Sequence, residues 1–119
     1  MVKDGSYLIG TCAMISKYDT KIVYQSHLYK IRVFENKYNL DRYYLLAALS
    51  SDYLKRQITS KTFSQDIINS LGDRLRELEV PIHRNGEKVE QVSSMVKRAV
   101  DDSIEARELA RKVRCEIFV

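Results

Sequence analysis

The side chains best suited to chemistry in this chain are basic, and most of the positive charge lies in its first half. Residues 1–64 carry ten Lys and Arg against five Asp and Glu (+5), and residues 65–119 carry ten against eleven (−1), which together give the net +4. A positive field favours a polyanion such as nucleic acid, although a solvated basic surface explains the charge equally well. DNA is therefore a candidate ligand.

A predicted hairpin carries the first candidate contacts. Its cations Lys17, Lys21, Lys30 and Arg32 are suited to phosphates, contacts that position a duplex without reading its sequence. Gln25 and His27 lie where the strand alternation shifts, from where they could reach a base edge. For the histidine, a structural role in the strand is the competing interpretation.

A catalytic constellation is harder to assemble. Asp19 with Glu35-Asn36-Lys37 is the best set, since a nuclease can hold a metal with an acidic residue and a Glu-x-Lys segment, but this spacing is common by chance. The sequence has no Gly-rich nucleotide loop and no methyl-donor fingerprint. Cys12 and Cys115 are far apart, which favours reduced, buried thiols over a metal site. We therefore predict no enzyme and no metal.

The elements that position these residues are predicted to form an α+β fold. Residues 7–16 and 22–34 have the composition of two strands joined at the turn-prone residues 17–20. A bulge within residues 25–28 would restore the alternation, and it would either re-aim side chains or bend the sheet. Leu78, Val80 and Ile82 alternate as a third strand, which Pro81 places at a sheet edge or end.

Short helices are predicted between the strands. Asp41 is a good N-cap for a helix containing Leu45, Leu46, Ala48 and Leu49, and residues 50–52 interrupt or recap it. A second helix at residues 53–58 would turn Lys55 and Arg56 to solvent, ahead of a polar loop at residues 59–65. Residues 70–73 resemble the start of a brief helix. The prediction is a small mixed or antiparallel sheet with short helices in residues 1–84.

A long helix is predicted for residues 87 to about 112, after a turn at Asn85-Gly86, and it makes residues 85–119 a second unit. Its apolar and small residues repeat at spacings of three and four between Val89 and Val113, with a candidate helix-partner seam at Val92, Val96, Ala99, Ser103, Ala106 and Ala110. The seam could face an antiparallel partner helix or the chain's own sheet. With neither a membrane-length apolar run nor a signal peptide, we expect a cytoplasmic protein.

Several segments, taken in order, resemble the target-recognition region of type I restriction-modification specificity subunits and of fused adenine-N6 DNA methylases. They are residues 2–5 (Val-Lys-Asp-Gly), 25–32 (Gln-Ser-His-Leu-Tyr-Lys-Ile-Arg), 64–68 (Ser-Gln-Asp-Ile-Ile), 78–82 (Leu-Glu-Val-Pro-Ile) and the last helix. In that family a mixed α/β domain contacts DNA, and a long helix follows as a spacer or dimerising coiled coil. The family usually has further recognition sequence before residues 2–5, so the resemblance allows this chain to be a fragment.

The resemblance also implies a DNA-facing loop at residues 60–65. There Lys61 can neutralise a phosphate, Thr62 and Ser64 can donate hydroxyls, and Gln65 can pair with adenine in the major groove. A surface loop satisfying its own backbone is the alternative.

The function implied is a non-catalytic DNA-recognition module. It would direct an adenine methyltransferase subunit or domain, which would bind S-adenosylmethionine, to its target. The competing prediction is a protein-interaction module that acts through the last helix, for example in a homodimer, without DNA.

Overall fold

The computed structural model describes residues 1–3, 10–19, 21–23, 27–63 and 72–117. The regular structure in these ranges consists of helices α1 (Arg42–Leu49), α2 (Asp52–Phe63) and α3 (Gly86–Ile117), with a 3₁₀ helix at Gly72–Glu77 between α2 and α3.

The predicted α+β sheet is wrong, because the described residues contain one isolated antiparallel bridge, Val2 with Leu28, and no sheet. A few backbone hydrogen bonds hold residues 1–3 between two other segments. The Val2 amide donates to the Thr11 carbonyl at 2.9 Å, and the Lys3 amide donates to the His27 carbonyl at 2.9 Å. The pairing that forms is therefore not the predicted hairpin between residues 7–16 and 22–34.

Large apolar side chains of the two predicted strands are exposed, whereas the alternate residues Cys12, Met14 and Ser16 are half-buried. Ile15, Ile31 and Phe34 are 66%, 39% and 77% exposed. The segment with Leu78, Val80 and Ile82 is not a strand either; there the Glu79 amide donates to the side chain of Gln57 at 2.9 Å. In the described parts of these segments, alternating residue types are thus accompanied by no ladder beyond the isolated bridge of Val2 with Leu28. Of residues 25–28, where the bulge was predicted, residues 25 and 26 lie outside the described residues.

The predicted start of α1 is confirmed. The Asp41 carboxylate accepts hydrogen bonds from the amides of Tyr43 and Tyr44 at 3.0 and 2.9 Å, as an N-cap does. The recapping at residues 50–52 is confirmed too, since the Ser51 hydroxyl accepts from the Leu54 amide at 3.3 Å and α2 begins at Asp52.

The predicted loop at residues 59–65 is wrong up to residue 63, because α2 runs to Phe63. Leu54 and Ile58 are fully buried and Lys61 is half-buried, so the covered face of the helix continues at helical spacing past residue 58. The Thr59 hydroxyl donates to the Lys55 carbonyl at 3.0 Å, which is how a polar residue is accommodated within a helix.

The core lies where α1 packs on the first half of α3. Tyr44, Ala48 and Val89 are buried together, with Leu40 and Val80 packed against them. The Tyr44 hydroxyl donates to the Pro81 carbonyl at 2.9 Å and accepts from the His83 amide at 3.2 Å. The segment that leads into α3 is thereby fixed to α1.

The long last helix is confirmed. The Asn85 side chain caps it by accepting from the Glu87 amide at 2.9 Å, and its 32 residues span about 48 Å at 1.5 Å per residue. None of the described helices has the length and apolar character needed to cross a membrane.

The covered face of α3 differs from the predicted seam. Its more covered positions are Val89, Ser93, Val96, Val100, Ile104 and Glu108. Of the six seam residues only Val96 is half-buried, while Val92, Ala99, Ser103, Ala106 and Ala110 are exposed. The helix packs on α1 rather than on a sheet, and most of the seam faces away from that contact.

A close approach at Gly10 gives a test of this packing. Gly10 has φ +84°, and a Cβ there would lie 2.8 Å from Cδ1 of the buried Ile58. We expect Gly10→Ala to lower the free energy of unfolding by about 2 kcal/mol, from left-handed strain and overpacking. Urea denaturation followed by circular dichroism measures this.

Gly86→Ala is the matched control, because a Cβ at Gly86 meets nothing within 4 Å and the residue begins α3. It should leave stability unchanged or raise it by up to about 1 kcal/mol. Equal effects of the two substitutions would contradict the close approach of Gly10 to Ile58.

Candidate nucleic-acid interface

Four cations lie over tyrosine rings. The distances to the ring centroids are 5.9 Å for Lys3 over Tyr29, 5.1 Å for Lys17 over Tyr18, 4.9 Å for Lys37 over Tyr38 and 5.0 Å for Arg42 over Tyr43. All are within the range of cation–π attraction. None of these four cations pairs with a carboxylate in the described part of the chain.

Three of these pairs share one local geometry. The tyrosine amide donates to the side-chain oxygen of the residue two positions earlier: Tyr18 to Ser16 at 3.2 Å, Tyr38 to Asn36 at 3.1 Å and Tyr43 to Asp41 at 3.0 Å. Such Asx and Ser turns form because these short side chains reach the backbone two residues on. The sequence pattern is (Ser/Asn/Asp)-(Lys/Arg)-Tyr, and we call these three tripeptides the cation–tyrosine turns.

Two cation–tyrosine turns line one groove of about 440 Å³. Its cationic side is formed by the Lys17-Tyr18 and Arg42-Tyr43 pairs, and its other wall is formed by Asp101, Glu105 and Glu108 of α3. Because these carboxylates would repel a phosphate inside the groove, we expect an anion to meet the cations from outside it.

A hydrogen-bonded latch holds the first turn against α3. The Asp19 carboxylate accepts from the Ser16 amide at 2.9 Å, from the Ser16 hydroxyl at 2.7 Å and from the Arg107 guanidinium at 3.2 Å. These hydrogen bonds, the Ser16 ones most strongly, lower the pKa of Asp19. Lys17 and Tyr18 lie between Ser16 and Asp19, so the latch positions them.

The other residues predicted to contact DNA from the hairpin region lie at the surface. Lys21, His27, Lys30 and Arg32 are exposed, in segments that are not strands. Gln25 lies outside the described residues. Among the residues that the structure describes, no hydrogen bond or ion pair joins Lys21 or Arg32 to the cation–tyrosine turns.

The loop predicted at residues 60–65 is only partly described. Ser60 to Thr62 belong to the end of α2, and Ser64, Gln65 and the side chain of Thr62 lie outside the described residues. The Lys61 ammonium is 3.3 Å from the Glu77 carboxylate, which Arg74 also contacts at 3.0 Å. Arg74 most strongly, and Lys61 as well, lower the pKa of Glu77. The Glu77 carboxylate therefore stays ionised and neutralises part of the positive charge of Lys61.

The outer face of α2 was missed as a candidate site. Lys55, Arg56, Thr59 and Ser60 are exposed and line a shallow cleft of about 410 Å³ with Asp52. The prediction that Lys55 and Arg56 face solvent is confirmed. Their grouping with two hydroxyl residues one turn later was a usable signal, since such a set presents cations and hydroxyl donors on one helix face.

Two residues of the nuclease-like constellation form hydrogen bonds within the chain. Asp19 belongs to the latch, and Asn36 donates to the Phe34 and Leu40 carbonyls at 3.0 and 2.8 Å. Both cysteines are free; Cys12 is half-buried, which raises its pKa, and Cys115 is exposed, so the prediction of burial is wrong for Cys115.

No protein-family model, no curated protein and no solved structure matches this chain. The geometry of the interface is therefore what supports a function for it.

The latch predicts a pH dependence. The folded-state pKa of Asp19 is lowered, so its contribution to stability is present above the unfolded-state pKa of about 3.9 and is lost as the pH falls through the lower folded value. We expect the gap in urea midpoint between the wild type and Asp19→Asn to be widest near about pH 7 and to close below about pH 4.

Asp73→Asn is the control, because Asp73 is exposed and bonds to no other described side chain. It should leave the urea midpoint almost unchanged near neutral pH. If the difference in urea midpoint between the wild type and Asp19→Asn stayed the same below about pH 4, the latch would be contradicted.

Proposed function

We propose that the chain is a non-catalytic module that binds duplex DNA through the cation–tyrosine turns. The observation that carries the proposal is the seating of Lys17, Lys37 and Arg42 on tyrosine rings instead of on carboxylates. A cation on a ring keeps its full charge. One Arg42 N–H donates to the Tyr43 hydroxyl at 3.1 Å, and the N–H donors that are not used within the chain stay available to a phosphate oxygen.

The contrast with the second half of the chain supports this assignment. There five of the ten Lys and Arg pair with a carboxylate among the described residues. Lys97 lies 2.6 Å from Asp101, Arg107 lies 3.2 Å from Asp19, and Lys112 lies 3.7 Å from Glu116. An ion-paired cation must give up its partner before it can neutralise a phosphate. Ion pairing in the second half therefore adds to the charge asymmetry of the sequence, which already places the positive excess in the first half.

The basic face of α2 extends the proposed surface. Arg56 has no ion-pair partner among the described residues, and Lys55 is 3.9 Å from Asp52 in an open i,i+3 arrangement with a side chain 65% exposed. Both can turn to a phosphate at little cost, since exposed ion pairs are weak. Lys61 is a poorer candidate than the sequence suggested, because Glu77 already holds it.

The biological setting we propose follows from the resemblance in the sequence. The module would direct a restriction-modification adenine methyltransferase, with its nuclease, to a target site, and S-adenosylmethionine would bind to the methyltransferase. Gln65 would be the base-reading candidate. A neighbouring coding sequence for an adenine methylase or a motor subunit would support this setting.

A protein-interaction module acting through α3 is the second candidate. The observation that favours it is the exposure of Val92, Met95 and Leu109 on a helix that α1 covers along another face. Exposed apolar stripes on helices are typical of partner surfaces. Such a module need not bind DNA.

Salt-dependent DNA binding tests the first proposal. We expect the affinity of the wild type for duplex DNA to fall steeply with salt concentration. The double variant Lys17→Gln with Arg42→Gln should reduce the slope of log K against log salt by about 0.9 for each phosphate that is no longer neutralised. Affinity near about 0.1 M salt should fall roughly fivefold to tenfold for each such phosphate, and similarly for all duplex sequences. Fluorescence anisotropy with labelled duplexes measures both quantities.

The matched control removes the same formal charge from ion-paired positions, Lys97→Gln with Lys112→Gln. Its slope should stay at the wild-type value. If both double variants lowered DNA affinity equally, the effect would come from net charge alone and not from the cation–tyrosine turns. No binding of duplex DNA at low salt would exclude DNA as the ligand.

A further inference from the structure

We propose that the loop at residues 34–40 binds unpaired nucleotides of DNA, with its aromatic rings stacked on bases and Lys37 placed on a phosphate. The inference rests on the proposed function and specifies which state of DNA the surface prefers. Two side chains of this loop, Phe34 and Tyr38, are 77% and 53% exposed. The Lys37 ammonium lies 4.9 Å from the centroid of the Tyr38 ring. We call residues 34–40 the aromatic loop.

The aromatic loop is held in shape by the side chain of Asn36. Its Nδ2 donates to the Phe34 and Leu40 carbonyls at 3.0 and 2.8 Å, and its Oδ1 accepts from the Tyr38 and Leu40 amides at 3.1 Å each. The Asn39 amide also donates to the Asn36 carbonyl at 3.2 Å. The backbone that carries both rings is therefore ordered before a ligand binds, which lowers the entropic cost of binding.

The end of the aromatic loop is anchored in the core without the help of the two rings. Leu40 packs against the buried cluster of Tyr44, Ala48 and Val89, and α1 begins two residues later. Phe34 and Tyr38 stay at the surface instead. Rings on an ordered loop have few rotatable bonds to freeze, so a planar partner can stack on them at a low entropic cost.

A ring beside a cation matches the two parts of a nucleotide. Every base has a face that stacks on an aromatic side chain, and a cation neutralises the phosphate. Residues 28–40 carry three cations, Lys30, Arg32 and Lys37, and one carboxylate, Glu35, so their formal net charge is +2. Because the bases of a perfect duplex stack on one another, their faces are open to a protein ring where they are unpaired.

The same pairing of ring and cation recurs at the Lys17-Tyr18 turn. The Lys17 ammonium lies 5.1 Å from the centroid of the Tyr18 ring, and Tyr18 is 47% exposed. Tyr43 is a poorer platform because its ring is half-buried and its hydroxyl accepts from Arg42. Two exposed units of this kind suit a polymer in which phosphates and bases also repeat.

Two DNA ligands with the same number of phosphates test the preference. One is a perfect duplex, and the other is a duplex of equal length whose central bases are mismatched and therefore unpaired. We expect the wild type to bind the mismatched duplex about tenfold more tightly, since stacking of a base on an aromatic side chain contributes on that order. Fluorescence anisotropy in low salt measures both dissociation constants.

Substitutions of Tyr38 separate the ring from the charge. Tyr38→Leu removes the ring and keeps Lys37, so it should lose most of the preference for the mismatched duplex. Tyr38→Phe keeps a ring and should retain that preference. Tyr53→Leu is the matched control, because Tyr53 is 51% exposed on α2 and has no cation over its ring among the described residues. Circular dichroism checks that each variant keeps its helices.

A spectroscopic signal reports the stacking itself. An aminopurine analogue of adenine, placed among the unpaired bases, loses fluorescence when it stacks on an aromatic ring. We expect the wild type and Tyr38→Phe to lower this fluorescence at saturation more than Tyr38→Leu does. Phe34→Leu should lower the signal change as well, because both rings belong to the aromatic loop.

The outcomes are distinct from those of the duplex test. Equal affinity of the wild type for the two ligands overturns the inference and leaves the proposed function intact. A preference that is unchanged in both Tyr38→Leu and Phe34→Leu overturns the assignment to the aromatic loop. Binding of the mismatched duplex alone supports the inference and removes the proposed binding of perfect duplex DNA. Binding of neither ligand removes both.

Discussion

The contact between α1 and the first half of α3 is the constraint on which the other described features depend. Tyr44 and Ala48 bury themselves against Val89, and the Tyr44 hydroxyl ties α1 to the segment before α3. Asp41 contributes twice, because one oxygen caps α1 and the other accepts from the Ser93 hydroxyl of α3. The first turn of α1 is therefore fixed on α3, and that turn carries Arg42 and Tyr43.

Local signals in the sequence predicted the helices well and the rest of the fold poorly. Asp41 was predicted as an N-cap and Asn85-Gly86 as the turn before the last helix. Both side chains cap their helices, because a short side-chain oxygen is all that a cap needs. The end of α2 was missed since polar Thr59 and Ser60 resemble a loop, although their side chains lie on its outer face. The sheet was wrong because alternation constrains single residues, whereas a ladder depends on partners distant in sequence.

The candidate site was predictable in its charge but not in its geometry. The exposure of Lys17, Lys21, Lys30 and Arg32 agrees with the expectation from residue type. Whether a cation is paired with a carboxylate depends on residues that are distant in the sequence. Lys61, for example, is paired with Glu77, which lies sixteen residues away in the chain. The cation–tyrosine turns could have been found, because Ser, Asn or Asp followed by a cation and tyrosine occurs three times within residues 16–43.

Seating a cation on a tyrosine has a physical advantage over pairing it with a carboxylate at a polyanion-binding surface. The attraction is modest at an exposed site, about 0.5–1 kcal/mol, yet it reduces the number of rotamers that binding must freeze. The charge is retained, so the long-range field is not cancelled. An ion pair with a carboxylate would also order the side chain, but the carboxylate would cancel the positive field of the cation. The ion pair would also have to break before the cation could bind a phosphate.

The latch to Arg107 shows how one helix can serve both proposed surfaces without mixing them. Arg107 holds the Lys17-Tyr18 turn on one side of α3, while its exposed neighbour Ala106 points about 100° around the helix. The exposed apolar residues Val92, Met95 and Leu109 also lie away from the face that α1 covers. A partner helix on these residues would therefore leave the latch untouched. Since a helix is stiff along its axis, α3 keeps the latch and the contact with α1 at a fixed separation, and so it fixes the position of the Lys17-Tyr18 turn relative to Arg42 and Tyr43.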